Sequence, residues 1–129
     1  MTTENLLLLA IRAALEAGAD ICRIYNSADS DFGIEYKADH SPLTLADKAS
    51  DATIGRFLST TPYPVLTEER KALPYEERKL WHKLWIVDPL DGTKEFIKKN
   101  GEFTVNIALV EDGVPTLGVI YVPVKKRLY

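Results

Sequence analysis

The densest chemistry in this sequence lies in Trp85-Ile86-Val87-Asp88-Pro89-Leu90-Asp91-Gly92-Thr93-Lys94-Glu95-Phe96. The apolar run Leu84 to Val87 predicts a buried strand that ends at Asp88. Pro89 biases Asp88 toward an extended backbone and removes one N–H. A turn after it lets two carboxylates three residues apart converge, as they would not on a straight strand. Gly92 permits close backbone approach. The amides of Gly92 and Thr93 would open a short helix through Phe96 and Ile97, capped by Asp91, where an anion is favoured. Taken singly, Asp-Pro and Asp-Gly are ordinary turn dipeptides, and aspartate often caps a helix. Their fusion at the end of an apolar strand, with Thr93 following, points instead to hard oxygen ligands beside a phosphate cradle.

A second acidic pair, Glu68-Glu69, follows its own short strand, Val65-Leu66-Thr67. If the two strands are neighbours, Glu68, Asp88 and Asp91 gather at one end of a sheet. Such a cluster repels itself unless cations balance it. Carboxylate oxygens without His or Cys suit Mg²⁺, which keeps waters and shares phosphate oxygens. A third stretch runs from Lys37 through His40-Ser41-Pro42 to Thr44-Leu45-Ala46-Asp47. Taken alone, Thr44 and Asp47 read as a capping box, and Lys37 as a surface lysine.

These residues need a scaffold. Leu6, Leu9, Ala10, Ala13, Ala17 and Ile21 recur at helical spacing behind a Thr2 or Thr3 cap, and the pattern fades near Asn26. Ser27 to Gly33 reads as a loop, Gly33 to Lys37 as a short strand, and His40-Ser41-Pro42 as a turn. A second helix carries Ala46, Ala49, Ile54, Phe57 and Leu58 and ends before Pro62. Pro74-Tyr75-Glu76-Glu77 predicts a short helix. Phe103 to Val110 alternates, Asp112-Gly113 signals a two-residue hairpin turn, and Leu117 to Val124 returns with apolar residues on both faces. The expected class is α+β, with two long helices packed on a mostly antiparallel sheet.

Composition narrows the options. The 129 residues carry 16 Lys+Arg against 19 Asp+Glu, a net charge of −3, which gives no general attraction for a nucleic-acid polymer. The longest apolar run near the start, Leu6 to Ile11, is far short of the roughly 20 residues a transmembrane helix needs. The single Cys22 forms no internal disulfide and fits a reducing cytosol. Trp81 and Trp85 read as packing residues, and neither His82 nor Cys22 has an assignable role. A strand apolar on both faces needs a layer on each side, and the helices suffice for one. The chain is therefore expected to be the N-terminal part, residues 1–129, of a longer protein. The alternative is a small domain that forms a homodimer through its open face.

Together the three stretches resemble the lithium-sensitive, magnesium-dependent inositol monophosphatase superfamily. Asp88 to Thr93 is similar to its Asp-Pro-hydrophobic-Asp-Gly-Thr signature, Glu68-Glu69 to its paired glutamates, and Thr44 to Asp47 to its Thr-x-x-Asp element. Lys37-Ala38-Asp39-His40-Ser41-Pro42-Leu43-Thr44, Pro89 to Ile97, and Asn100 to Leu109 look most like its CysQ branch, the 3′(2′),5′-bisphosphate nucleotidases. The resemblance implies the N-terminal part of a layered αβαβα sugar-phosphatase fold and hydrolysis of adenosine 3′,5′-bisphosphate, in the recycling of that nucleotide during sulfur assimilation. Another substrate, an inositol or sugar phosphate, stays open, as does a catalytically incompetent cation- or phosphate-binding fragment.

The resemblance further implies two or three Mg²⁺ ions, inhibition by Li⁺, and a cytoplasmic protein, with peripheral contact at the inner membrane as a variant. Glu68, Asp88, Asp91 and the Leu90 carbonyl would hold metal. Asp47 and Thr93, with Glu68, would be catalytic by orienting or deprotonating the attacking water. Gly92 and Thr93 amides, with Lys37, would bind the substrate. The family's second half supplies another metal-binding aspartate in a Trp-Asp-x-Ala-like motif, and nothing in this sequence matches it.

Overall fold

A computed structural model describes residues 2–26, 35–36, 42–69 and 74–129. Helix α1 spans Thr3–Tyr25. The Thr2 hydroxyl oxygen accepts from the Asn5 amide at 3.1 Å, and Glu4 and Arg23 lie at the ends that suit the helix dipole. Its buried stripe is Leu6, Ala10, Ala13, Ala14, Ala17, Gly18 and Ile21, so small side chains let neighbours come close. Two short strands, β1 (Glu35–Tyr36) and β2 (Pro42–Leu43), pair antiparallel and lead to α2 (Leu45–Leu58). The expected loop at 27–33 and the residues of the His40-Ser41 turn fall outside the described residues, as does Lys37.

The main sheet has the order β3-β4-β5-β6-β7. Strand β3 (Val65–Thr67) runs parallel to β4 (Lys83–Asp91). Strands β5 (Thr104–Glu111), β6 (Val114–Val122) and β7 (Arg127–Leu128) add antiparallel. The short helix α3 (Tyr75–Arg78) precedes β4 and α4 (Thr93–Ile97) follows it. Helices α1 and α2 pack together on one face of the sheet, α1 over β5 and β6, α2 over β4. Trp85, Val87, Val105, Ile107, Leu109, Val119 and Tyr121 fill the interface with them. Buried Trp85 satisfies its indole N–H by donating to Thr61 Oγ1 at 3.0 Å. This is the expected α+β arrangement, and the hairpin forms with positive φ at both Asp112 (48°) and Gly113 (80°).

The opposite face is bare among the described residues. Ile86 is 42% exposed and Ile120 45%. They border a groove of about 550 Å³ that Leu66 and Ala108 also line, with Glu68 and Asp88. Among the described residues no helix is long and apolar enough to cross a membrane.

Three expectations are corrected. Strand β4 does not end at Asp88 but runs on to Asp91. Asp91 is not the cap of α4: Gly92 is, in the left-handed region with φ 94°. The return strand starts earlier, at Val114, and the two-residue β7 follows a turn in which Lys126 has φ 52°.

Gly18 gives a direct test of the helix-to-sheet packing. A Cβ there would lie 2.7 Å from Tyr121 Cδ2 and nearer still to Cε2. Tyr121 is buried, so its ring has little room to yield. Gly18→Ala gains about 1 kcal/mol of helix propensity but overpacks a core contact by about 1–3 kcal/mol. The expected net result is a loss of about 1 kcal/mol in chemical denaturation, and a stabilised variant would contradict this packing.

Candidate active site

Two aspartates three residues apart point to opposite faces of a regular strand. Strand β4 avoids this with an irregularity. Its register with β5 passes from Asp88↔Asn106 to Asp91↔Thr104, so three residue steps on β4 are matched by two on β5. The extra residue restores the parity. Pro89, which has no N–H to lose from the ladder, sits inside this bulge. The bulge thus does what a turn was expected to do.

Strand β3 lies beside β4, so Glu68 and Glu69 emerge next to Asp88. Their effect is electrostatic. Asp88 is partly buried, and its carboxyl is pushed from the ordinary aspartate range up to about 7, first by desolvation, then by the charges of Glu68, Asp91 and Glu69. The Leu90 N–H partly offsets this by hydrogen bonding to the carboxylate. The predicted acids are therefore neighbours. Among the described residues, however, no three His, Cys, Asp or Glu side chains are gathered closely enough to enclose an ion as they stand. The repulsion that raises the Asp88 pKa also opposes closer approach. The donor set itself, all hard oxygen with negative charge unbalanced at Asp88, fits a divalent cation such as Mg²⁺.

Beside the acids stands a hydroxyl–carboxylate pair. Thr93 Oγ1 donates to Asp47 Oδ1 at 2.9 Å and lies 3.4 Å from the Leu90 carbonyl oxygen. The other oxygen, Asp47 Oδ2, accepts from the Thr44 amide at 2.9 Å and the Thr44 hydroxyl at 2.6 Å. Thr44 Oγ1 in turn accepts from the amides of Ala46 and Asp47. The capping box is real, yet it occupies only one carboxylate oxygen. One oxygen of Asp47 thus serves the cap and the other receives the Thr93 hydroxyl. Because Thr93 spends its proton on Asp47, its lone pairs stay available to accept from a water.

Gly92 is needed where it stands. At φ 94° an L side chain is strained, and a Cβ would meet the Glu102 carbonyl oxygen at 3.1 Å. The residues missed from sequence lie on α2. Ser50 and Thr53 are buried and, at three-residue spacing, continue on one helix face the polar row that Asp47 begins. Ser50 Oγ donates to the Pro89 carbonyl at 2.6 Å, and Thr67 Oγ1 to Asp51 Oδ1 at 2.8 Å. A row of small polar residues on an otherwise apolar helix face was the available signal.

The family model described as "Inositol monophosphatase family" matches residues 2–129. The chain belongs to the inositol monophosphatase family. Among curated members of that family, a 3′(2′),5′-bisphosphate nucleotidase CysQ from Salmonella typhimurium is 52% identical over 120 residues, which cover 90% of this chain and 47% of that protein. A crystal structure of CysQ from Bacteroides thetaiotaomicron superposes with a TM-score of 0.87 at 57% identity, covering 98% of this chain and 45% of that one. The extragenic suppressor protein SuhB of Bartonella henselae superposes with a TM-score of 0.84 at 29% identity, covering 96% of this chain and 47% of that one. The chain spans about half the length of the curated relatives it matches.

Proposed function

We propose that the intact protein is a Mg²⁺-dependent phosphate monoester hydrolase, a 3′(2′),5′-bisphosphate nucleotidase acting on adenosine 3′,5′-bisphosphate. The observation that carries the chemistry is the Thr93–Asp47 hydrogen bond of 2.9 Å beside the Asp88–Asp91 bulge. The names of relatives at about half identity support the substrate. Glu68, Asp88, Asp91 and the Leu90 carbonyl would hold the metal, as two or three ions, with inhibition by Li⁺. When bound, Mg²⁺ supplies positive charge that favours deprotonated water near neutral pH and neutralises phosphoryl oxygens. Thr93, fixed by Asp47, accepts a hydrogen bond from the attacking water and aims its oxygen in line. Asp47 holds the Thr93 proton and offers the route by which a water proton leaves, with Glu68 on the acidic side of the same site. The amides of Gly92 and Thr93 bind phosphate oxygens. Lys37, outside the described residues, is proposed on the substrate side.

In this reading residues 1–129 form the N-terminal metal-binding domain of a longer phosphatase. A second half would cover the bare sheet face and add a further ligand. A cytoplasmic location fits the lone Cys22. The test is phosphate release from adenosine 3′,5′-bisphosphate, with an inositol monophosphate as competitor. The intact protein is expected to prefer the nucleotide and to need Mg²⁺, while the 129-residue chain alone self-associates in light scattering and releases no phosphate. Preference for the inositol ester would move the substrate assignment, and a monodisperse, fully active 129-residue chain would overturn the domain reading.

A further inference from the structure

We infer that Ser50 is a positioning residue for the cation-binding bulge, acting through the Pro89 carbonyl. The inference rests on the metal reading proposed above. A serine inside a helix ordinarily turns its hydroxyl to solvent or to the carbonyl one turn back. Ser50 is fully buried, and its hydroxyl instead crosses to another element, reaching the Pro89 oxygen at 2.6 Å over 39 positions of sequence.

The acceptor explains why. The β4–β5 register skips from Asp88 to Asp91, so Pro89 and Leu90 lie outside the paired positions. Pro89 is buried, and a buried carbonyl without a ladder partner must find a donor elsewhere. Ser50 supplies it. Tethering the Pro89 carbonyl to α2 fixes the peptide that leads into Leu90, whose own carbonyl oxygen lies 3.4 Å from the Thr93 hydroxyl. The same helix carries Asp47 one turn earlier, and Asp47 holds Thr93. Through Ser50 and Asp47, α2 grips both ends of the motif, the bulge with its two aspartates and the threonine beyond it. The Ser50 hydroxyl thus sets the spacing between the acidic donors and the hydroxyl that orients water.

The test uses the intact protein with Ser50→Ala, with Ser50→Cys, which keeps the size but donates weakly, and with Asp91→Asn as a reference. Mg²⁺ binding is read by calorimetry and by the cation-induced rise in melting temperature. The Mg²⁺ concentration giving half-maximal phosphate release is compared with the maximal rate. Groups behind metal ligands typically change metal affinity by about 10- to 100-fold. Both Ser50 variants are expected to weaken Mg²⁺ binding by about tenfold, with a smaller fall in the maximal rate at saturating Mg²⁺. If Ser50→Ala does not fold, Ser50→Cys carries the comparison. Unchanged Mg²⁺ binding in the Ser50 variants, with clear weakening in Asp91→Asn, would reduce Ser50 to a buried packing residue and leave the metal reading standing. Unchanged binding in Asp91→Asn as well would remove the metal reading and this inference with it.

Discussion

Asp47→Asn in the intact protein is expected to lower turnover of the phosphate ester by about 10²- to 10⁴-fold, the range associated with a positioned proton acceptor. The expectation follows from counting lone pairs. Asp47 offers one oxygen to the Thr44 amide and hydroxyl and the other to the Thr93 hydroxyl. Asparagine keeps only one oxygen. The Thr44 side includes a backbone N–H that can only donate, so the amide oxygen stays there and the NH₂ faces Thr93. The Thr93 hydroxyl must then accept from residue 47 and turn its own proton outward, toward the water it should receive. The polarity of the relay is reversed while its atoms stay in place. Because the cap on α2 survives, the melting temperature should fall by no more than about 5 °C. Thr93→Ala removes the same relay, so the double variant should be little slower than either single variant, the mark of residues acting as a unit. Turnover within about threefold of the parent, or strictly additive losses, would show that the pair does not orient the water.

Why Asp47 was legible only in part is instructive. Thr44-x-x-Asp47 is a sufficient reason for a capping box, and sequence alone does not reveal that the box leaves one carboxylate oxygen over. The partner, Thr93, lies 46 positions away. Local patterns carried most of the fold. The stripe from Leu6 to Ile21, the alternation of Val105, Ile107 and Leu109, and the Asp112-Gly113 turn each depend on near neighbours, and each forms as its pattern requires. The bulge between Asp88 and Asp91 is different in kind. It exists only relative to β5, so β4 read by itself looked like a strand followed by a turn. Strand β7 has two residues and one antiparallel partner, too short for any period to show. The Ser50–Pro89 bond joins two segments whose proximity is set by how α2 lies over β4. Residues with one local job are legible from their neighbours, whereas local pattern alone reads Asp47 as a cap, and its second role enters only through the resemblance.

The second large effect concerns pH and Mg²⁺ together. Burial and the neighbouring acids push the Asp88 carboxyl up to about 7 in the folded chain, against the ordinary aspartate range when unfolded. Between those values the folded state holds a proton that the unfolded chain has released. Stability from this group is thus fully present below the unfolded pKa and is lost as pH rises through the folded one. In metal-free buffer the intact protein should therefore melt lower at about pH 8 than at about pH 5, by an amount on the order of 1–2 kcal/mol after allowance for solvent screening at a half-exposed group. Asp88→Asn removes both the titration and the repulsion from Glu68, Asp91 and Glu69, so its melting temperature should be flat across that range and above the parent's at the alkaline end. Mg²⁺ favours the charged carboxylate. At about 100 times its dissociation constant it should restore about 2.7 kcal/mol at pH 8 and far less at pH 5. The variant should lose most of that gain, since it lacks the anionic ligand. The measurement is a set of four melts for each protein, two pH values with and without Mg²⁺. A metal-free parent that grows more stable toward pH 8, or an Asp88→Asn variant with the parent's full Mg²⁺ response, would show that the charge at Asp88 is balanced within the fold and that the cation is held elsewhere.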